Sequence, residues 1–364
     1  MTAVADLAWM QRAIALGAQG TRNVRPNPLV GCVLVHGETI VGAGFHARVG
    51  GPHAEAEALA QAGGQARGAT AYVTLEPCNH HGRTPPCAQA LIAAGVARVV
   101  VAVRDPHAAA AGGLEVLQAA GIAVTLGVAA QEAGDLAEVF LTNQRAERAF
   151  VQQKTAATAD GRVAAEDGTS RWITAPPARL LVHRMRAQAD AVLVGIGTVL
   201  ADDPRLDCRD CDPPPPNLPL RVVLDRRLQL PPQSQLAQTA LQPTLVVTDS
   251  AAHAESAAAR RLEAQGVAVL CVPPGGAWLR DVLRALLQRG VYHVLSEAGP
   301  TLTTALWQEG LVDRLDLLLA PKLLGSGAPW LQSLAVGTMQ AARPLRWSGL
   351  QQVGDDVWLT ARPR

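Results

Sequence analysis

The chain has 364 residues, of which 49% are hydrophobic and 17% charged, and its net charge is +1. This length exceeds one typical core, so we expect two domains. A near-neutral balance without a long basic run gives binding to nucleic acid little electrostatic support, which argues against an enzyme that edits polynucleotides. No apolar run is long enough to span a membrane, and the early Asp6 argues against a secretory signal.

The first part of the chain predicts strands that alternate with helices. Strands are expected at residues 30–35, 39–44, 70–75, 96–103 and 122–125. Helices are expected at residues 4–18, 53–62, 87–95 and 131–148. This alternation implies an α/β layer with a largely parallel sheet.

The pattern that carries the chemistry lies between residues 50 and 87. His53, Cys78 and Cys87 supply one imidazole and two thiols, which suit a tetrahedral Zn²⁺ with a fourth position left for water. Glu55 lies two residues after His53, where its carboxylate can take a proton from the bound water and pass it to a leaving amine. A His-x-Glu motif followed by Pro-Cys is the signature of zinc deaminases that act on nucleobases. The pattern therefore predicts a hydrolytic zinc site.

Two features of this region leave alternatives open. Eight residues separate the two cysteines, where such deaminases usually have two. His80 and His81 lie in that loop and are alternative ligands, although the two stiff prolines before Cys87 favour the thiol. Asn27 could reach a substrate base or sugar, but its spacing favours a local turn before the next proline.

The second half of the chain predicts another α/β unit. Strands are expected at residues 151–157, 191–195, 220–225, 244–248, 267–272, 292–296, 315–320 and 357–360. A helix is expected over residues 176–188, with Thr174 as its cap, and a loop is expected from Gly195 to Asp202. The turns at Gly195 and Gly299 could cradle a phosphate through backbone N–H groups, but ordinary strand-to-helix turns explain them equally well.

The six cysteines are dispersed, which fits a reducing cytoplasm better than a disulfide framework. They are Cys32, Cys78, Cys87, Cys208, Cys211 and Cys271. Cys208 and Cys211 have the spacing of half a zinc ribbon, but without a second pair they do not predict a metal site. We therefore expect a cytoplasmic protein.

Taken together, the motifs resemble the bifunctional deaminase/reductase family of bacterial riboflavin biosynthesis. In the first half, the resemblance rests on residues 25–28, 50–55 and 75–87, where the wide cysteine spacing matches the family. In the second half it rests on residues 154–156, 160–162, 171–174, 197–204, 297–301 and 320–325. It implies an α/β protein with an N-terminal cytidine-deaminase-like three-layer α/β/α domain over residues 1–145. A C-terminal dihydrofolate-reductase-like α/β domain would follow over residues 146–364.

The resemblance implies two reactions. The first is zinc-dependent hydrolytic deamination of 2,5-diamino-6-(5-phosphoribosylamino)pyrimidin-4(3H)-one, and the second is NADPH-dependent reduction of the ribosyl group to ribityl. By matching positions, the zinc ligands become His53, Cys78 and Cys87, and Glu55 becomes the proton shuttle. The NADPH contacts become Ala156, Trp172, Thr198, Asp202, Gly299, Pro300 and Thr301. The reductase substrate contacts become Ser170, Arg186, Leu206, Arg209 and Glu297.

The charges of several arginines agree with these residue assignments. Arg186 and Arg209 are suited to a substrate 5'-phosphate, and Arg226 or Arg227 could supply the cation that recognises the 2'-phosphate of NADPH. The sequence departs from the family pattern at residues 157–161, which read Ala-Thr-Ala-Asp-Gly. It also departs at residues 207–209, which read Asp-Cys-Arg where a version with a hydroxyl-containing residue is commoner in the family. These departures weaken individual reductase contacts more than the assignment.

Two other functions remain as alternatives. One is a working deaminase fused to an inactive reductase domain. The other is a non-catalytic nucleotide-binding protein whose structural zinc is closed by His80 or His81, although Glu55 beside the metal argues against it. The expected partner is a small pyrimidine ribosyl phosphate, with no nucleic acid and no membrane. Families of this kind are often homo-oligomers.

Overall fold

The computed structural model describes residues 3–80, 86–107, 110–211, 215, 217–240 and 242–364. The chain divides into two compact units, Met1–Glu147 and Arg148–Arg364. The boundary expected between residues 145 and 146 falls at the end of the last helix of the first unit.

In the described part of the first unit, one five-stranded sheet is covered by helices. The strands are β1 (Gly31–His36), β2 (Thr39–Phe45), β3 (Thr70–Leu75), β4 (Arg98–Val103) and β5 (Ala123–Leu126). The helices are α1 (Ala3–Gly17), α2 (Ala54–Ala62), α3 (Cys87–Ala94), α4 (Gly113–Ala119), α5 (Ala130–Leu136) and α6 (Glu138–Ala146). The strand order is β2-β1-β3-β4-β5, in which β1 is antiparallel to both neighbours and β3, β4 and β5 are parallel.

The central strands β1, β3 and β4 each contribute to two hydrophobic cores, because successive side chains of a strand point to opposite faces. Cys32 and Leu34 of β1 belong to the core that contains α2, α3 and α4. Val33 and Val35 of the same strand pack with Met10 of α1 and with α5. Helices therefore cover both faces, which confirms the predicted three-layer α/β/α arrangement.

The second unit is built around a nine-stranded sheet in its described residues. Its strands are β6 (Phe150–Thr158), β7 (Arg162–Ala164), β8 (Ala191–Gly195), β9 (Leu220–Leu224), β10 (Thr244–Thr248), β11 (Ala268–Cys271), β12 (His293–Ser296), β13 (Arg314–Ala320), β14 (Ala328–Pro329), β15 (Leu345–Val353) and β16 (Asp356–Pro363). Its helices are α7 (Pro176–Gln188), α8 (Ile196–Asp202), α9 (Ala251–Ala254), α10 (Ala257–Glu263), α11 (Trp278–Gln288) and α12 (Pro300–Gln308).

The order in the large sheet is β11-β10-β9-β8-β12-β6-β13-β16-β15, while β7 and β14 form a separate pair. The strands from β11 to β13 are parallel, and β16 runs antiparallel to β13 and β15. Again the strands alternate between two cores, since Val222 packs toward α11 and α12 while Val223 packs toward α10. Parallel strands buried on both faces explain the continuous apolar runs in the sequence.

A buried arginine supports the long connection after β9. Arg221 is 4% exposed, and its guanidinium donates to the backbone carbonyls of Gln235, Gln238 and Gln242 at 3.2, 2.8 and 2.7 Å. Burial lowers the pKa of Arg221 to about 10. The main chain of the connection therefore closes around one cationic side chain.

Three local predictions differ from the structure. The helix predicted over residues 131–148 is two helices, α5 and α6, because Ala137 (φ −92°, ψ 10°) leaves the helical region. Ala175 rather than Thr174 caps α7, and its N–H donates to the Asp356 carboxylate at 2.8 Å. The loop predicted after Gly195 is helix α8, since an extended Gly195 leads directly from β8 into a helical turn.

Among the described residues, no helix is both long enough and apolar enough to cross a membrane.

Candidate functional site

The three predicted zinc ligands lie together in the first unit. Nδ1 of His53 is 3.6 Å from Sγ of Cys78 and 3.3 Å from Sγ of Cys87, and the three donor atoms lie within 4.8 Å of one another. Zinc bonds of about 2.0 Å to nitrogen and about 2.3 Å to sulfur, at a tetrahedral angle, place nitrogen and sulfur about 3.5 Å apart. The observed separations therefore fit one zinc ion held by these three side chains.

The local structure leaves these donors free for the metal. The sequence predicted that His53 lies in the first turn of α2, but in the structure His53 is the cap residue of this helix. Its side chain makes no capping bond. Cys78 follows β3, and Cys87 opens α3 and donates its backbone N–H to Sγ of Cys78 at 3.4 Å. The hydrogen bond between the thiols lowers the pKa of Cys78 and raises the pKa of Cys87.

The alternative ligands do not join this cluster within the part of the chain that the structure describes. His80 lines the neighbouring cavity but is not among the grouped donor atoms. His81 lies outside the described residues. The described donor set is thus the three-ligand set that catalytic zinc sites use, with a coordination position left for water or substrate.

A cavity of about 490 Å³ lies beside the cluster. Glu55, the second residue of α2, lines this cavity and is only 3% exposed. Burial raises the pKa of Glu55 to about 7. A carboxylate is therefore present in the wall of the cavity next to the donor His53.

Asn27 and His46 form a second polar element of the same cavity. Nδ1 of His46 lies 2.8 Å from the carbonyl of Pro52 and must donate to it, because a carbonyl only accepts. Nε2 of His46 is then the acceptor for the Asn27 amide at 3.1 Å. The chain does turn locally here, since the Asn27 N–H donates to the carbonyl of Val24 at 2.9 Å, but the Asn27 side chain bonds to a distant histidine, which fixes the amide at the cavity.

Glu76 holds the backbone around the ligand loop. Its carboxylate is 3% exposed and accepts from the backbone N–H groups of Gly112, Leu114 and Asp105 at 3.0, 3.3 and 3.2 Å. Three backbone donors satisfy a buried charge that would otherwise be costly. The segment that leads to Cys78 is therefore tied to the start of α4.

Two cavities in the described part of the second unit share part of a wall. Their volumes are about 890 Å³ and about 510 Å³, and we call them the larger and the smaller cavity. Four residues line both cavities: Lys154, Ala156, Ser170 and Asp202. Two ligands bound in these cavities would meet at this shared wall.

The predicted cofactor and substrate contacts are distributed over these cavities. The larger cavity is lined by Ala156, Thr198, Asp202, Gly299, Pro300 and Thr301 of the predicted cofactor set, and by Glu297 of the substrate set. The smaller cavity is lined by Ser170, Arg186, Leu206 and Arg209 of the substrate set, and by Trp172 of the cofactor set. Trp172 is 64% exposed, and the Arg179 guanidinium lies 4.5 Å from its ring centre. Arg226 and Arg227 also line the larger cavity.

A buried charge cluster joins the two cavities. The Arg186 guanidinium forms a two-pronged ion pair with Glu297, and Nζ of Lys154 lies 3.2 Å from Oε2 of the same carboxylate. Burial would raise the pKa of Glu297, but the charges of Arg186 and Lys154 lower it well below its usual range. Arg186 also donates to the backbone carbonyl of Asp207 at 3.0 Å, which leaves it few N–H groups for a ligand.

Several residues at these sites received no role from the sequence. Lys154 was part of a recognised motif, but only the fold shows that it lines both cavities and meets Glu297. His46 and Glu76 act through partners that are distant in the chain. A polar residue at the end of an apolar strand was the one available signal, and it applies to Glu76 after β3.

Two protein-family models match the chain. The model for the "cytidine and deoxycytidylate deaminase zinc-binding region" matches residues 4–103, and the model for the "RibD C-terminal domain" matches residues 149–359. The zinc cluster and the paired cavities thus belong to a two-domain enzyme, a zinc-binding deaminase region followed by a reductase domain. The fold class predicted from the sequence is confirmed.

Full-length relatives agree. The riboflavin biosynthesis protein RibD of Escherichia coli is 44% identical over 369 residues, which cover 97% of this chain and 98% of the relative. That of Aquifex aeolicus is 40% identical over 353 residues, or 97% of each chain. The chain belongs to the RibD family of bifunctional riboflavin-biosynthesis deaminase/reductases. The alternatives of an inactive reductase domain or a non-catalytic zinc protein are not favoured.

Solved structures match over the whole chain. A RibD structure from Acinetobacter baumannii has a TM-score of 0.83 at 39% identity and covers 100% of both chains. A Thermotoga maritima structure has a TM-score of 0.82 at 33% identity and covers 99% of both chains. The latter is described as a diaminohydroxyphosphoribosylaminopyrimidine deaminase/5-amino-6-(5-phosphoribosylamino)uracil reductase.

Proposed function

We propose that the first unit deaminates 2,5-diamino-6-(5-phosphoribosylamino)pyrimidin-4(3H)-one and that the second unit reduces the ribosyl group of the product with NADPH. The observation that carries this proposal is the His53–Cys78–Cys87 cluster beside a cavity that Glu55 lines. The two activities described for the Thermotoga maritima protein support the choice of substrates.

In the first unit, His53, Cys78 and Cys87 would hold Zn²⁺, which supplies a Lewis acid that makes water nucleophilic near neutral pH. Deamination adds the water oxygen to the amino-bearing ring carbon, breaks the carbon–nitrogen bond and releases ammonia. Glu55 accepts the proton that the water loses and returns it to the leaving nitrogen. Asn27, fixed by His46, uses its remaining amide oxygen to orient the pyrimidine.

In the second unit, NADPH would occupy the larger cavity and supplies the hydride for reduction. We assign its phosphates to the N-terminus of α12 at Gly299, where backbone N–H groups favour anions. Arg226 or Arg227 is the candidate for the 2'-phosphate. These placements are supported by the cavity lining and by the family resemblance.

The substrate of the reductase would occupy the smaller cavity, with Arg209 at its 5'-phosphate. Reduction places a hydride on C1' of the sugar and a proton on the ring oxygen as the ring opens. We assign that proton to Lys154, because Lys154 lines both cavities and its ammonium group is held by an ion pair with Glu297. At the shared wall, C1' of the sugar then lies next to the nicotinamide carbon that donates the hydride.

The cytoplasm is the compartment that we propose. All six cysteines are free thiols, and four of them (Cys32, Cys208, Cys211 and Cys271) are not predicted metal ligands. Free thiols persist in reducing compartments. A homo-oligomer stays a prediction from the family resemblance.

The proposal is tested by a coupled assay on the full-length protein. Ammonia release and NADPH oxidation are followed separately, with and without a zinc chelator. We expect the chelator to stop ammonia release from the diamino substrate and to leave NADPH oxidation with deaminated substrate intact. Full-rate deamination by metal-free protein would contradict the zinc mechanism.

One substitution separates the two activities. Glu55→Gln should lower the rate of deamination by at least about 100-fold, the size of a lost general base. Zinc content and NADPH oxidation with deaminated substrate should stay at wild-type level. Glu57→Gln is the control, because Glu57 lies two residues further along α2 and does not line the cavity. Loss of both activities in Glu55→Gln would show that the sites are not independent.

A further inference from the structure

The smaller cavity of the second unit contains two arginines that are already paired with a carboxylate. Nε of Arg205 lies 3.3 Å from Oδ2 of Asp207, and Nε of Arg209 lies 3.2 Å from Oδ1. The arginine side chains are 57% and 51% exposed, while the Asp207 side chain is 17% exposed. All three residues line the cavity. A carboxylate thus lies between two cations at the place where we put the substrate phosphate.

The pairing is poor in hydrogen bonds. Oδ1 of Asp207 is buried and has no hydrogen bond of acceptable geometry, although Arg209 is close in charge terms. A phosphate offers more acceptor oxygens and up to twice the charge, so the same guanidinium groups would bind it better. An incoming phosphate must nevertheless separate the arginines from Asp207 and approach a like charge.

We propose that Asp207 is an internal competitor for the substrate phosphate, and that it weakens anion binding in the smaller cavity. The proposal rests on the assignment of Arg209 to the 5'-phosphate. The complete substrate offsets the competition through contacts with its pyrimidine and sugar, whereas a free phosphate ion has no such contacts. Asp207 therefore weakens the binding of both ligands by a similar factor, but only the complete substrate has further contacts that keep it bound.

The side chain can be tested without disturbing the loop. Arg186 is bonded to the backbone carbonyl of Asp207, not to its carboxylate. Asp207→Asn keeps that carbonyl and the size of the side chain and removes only the charge. Asp207→Ser is a second neutral variant that makes the result independent of how well asparagine fits.

The experiment is steady-state NADPH oxidation by full-length protein with deaminated substrate, with inorganic phosphate as a competitive inhibitor. In Asp207→Asn we expect KM and the inhibition constant of phosphate each to fall by about 5-fold, since exposed ion pairs are worth up to about 1 kcal/mol. The kcat should change by less than about 2-fold, because the change concerns binding. Asp207→Ser should shift both constants in the same direction.

Asp210→Asn is the matched control. Asp210 is exposed, lies on the same segment and does not line the cavity. Its φ of 56° suits asparagine, so the substitution removes the same charge without strain. Both constants should stay at wild-type values. An equal fall in Asp210→Asn would mean that net charge, and not Asp207, sets the affinity, and it would overturn the proposal.

Failure of this inference is distinct from failure of the proposed function. Unchanged or higher constants in both Asp207 variants would show that Asp207 only positions the arginines, and would overturn the inference alone. Arg209→Ala tests the underlying assignment, since it should raise KM for the phosphorylated substrate and not for its dephosphorylated form. Equal effects on the two forms would instead overturn the phosphate assignment.

Discussion

Glu76 is a single side chain on which the geometry of the deaminase site depends. It lies two residues before Cys78, and it is buried with three backbone N–H groups as its partners. These donors belong to segments more than 28 residues away in the chain. The carboxylate therefore fixes the ligand loop relative to α4, and a neutral amide cannot accept the same three bonds.

We expect Glu76→Gln to destabilise the first unit by about 2–3 kcal/mol, because one oxygen becomes a donor that faces a backbone N–H. Urea unfolding of full-length protein measures this change, and zinc content should fall with it. Glu115→Gln is the control, since Glu115 is paired with Arg104 only at the surface. It should leave the free energy of unfolding close to the wild-type value. Equal losses in the two variants would contradict the role of Glu76.

At the scale of single residues, the sequence predicted the residues that carry the chemistry better than the residues that hold them in place. His53, Glu55, Cys78 and Cys87 were predicted because the reaction needs those residue types in that order. The roles of Glu76 and His46 could not be predicted, since their partners are set by the fold and not by spacing. For the same reason the meeting of Lys154 with Glu297 required the structure.

Helix α1 is attached to the first sheet by one polar side chain. The carboxylate of Asp6 accepts from Nη1 and Nη2 of Arg98 at 2.9 and 2.8 Å, and from the Tyr72 hydroxyl at 2.8 Å. The hydrogen bonds with Arg98 are the main reason that the pKa of Asp6 is lowered. These bonds give α1 a fixed register on β3 and β4, in addition to the apolar packing of Met10 and Ala13.

This attachment predicts a pH dependence. Because the pKa of Asp6 is lower in the folded state than in the unfolded state, its contribution is present above the unfolded value and is lost as pH falls through the folded value. Asp6→Asn should therefore lower the free energy of unfolding by about 1–3 kcal/mol at pH 7, and by much less near pH 3.

Chemical unfolding of the two proteins at both pH values measures that difference. Glu132→Gln on α5 is the control, because Glu132 is exposed and its loss should change little at either pH. A difference between wild type and Asp6→Asn that is the same at pH 7 and pH 3 would show that packing, and not the charge, holds α1.

Elements with a strong periodic pattern were predicted closely. The strand at residues 70–75 and the helix at residues 176–188 match the structure, and the helix predicted over residues 87–95 ends one residue earlier, with Gly95 as its cap. β15 was not predicted, because this edge strand is exposed over residues 347–352 and carries no alternation between buried and polar positions. Local pattern thus predicts buried elements and fails at an edge that packs on one neighbour.

Each unit of the molecule has its own hydrophobic cores. The clusters around β1 and β3 contain residues of the first unit, and those around β8 and β9 contain residues of the second. Separate cores allow the units to respond separately to ligands, because a ligand stabilises the state to which it binds. The order of the two units along the chain was predicted from the two sets of motifs.

Calorimetry of the full-length protein tests this independence. A zinc chelator should lower the unfolding temperature of one transition, and NADPH should raise that of another. At a ligand concentration of about 1,000 times Kd, the expected stabilisation is about 4 kcal/mol. The Glu55→Gln protein should show the same zinc effect as wild type. A chelator that shifts every transition equally would show that the units unfold as one.

The connection after β9 closes around Arg221 through backbone carbonyls, so its shape depends little on the side chains of the residues that supply them. Every amino acid carries the same backbone carbonyl, so Gln235 and Gln238, whose side chains are exposed, can be replaced while their oxygens still accept from the guanidinium. Arg221 itself has no equivalent, because lysine cannot present a planar set of donors to carbonyls in several directions. Substitutions should therefore accumulate freely at positions 235 and 238 over evolutionary time. Position 221 should stay unchanged and preserve the conformation of the loop while the sequence of the loop varies.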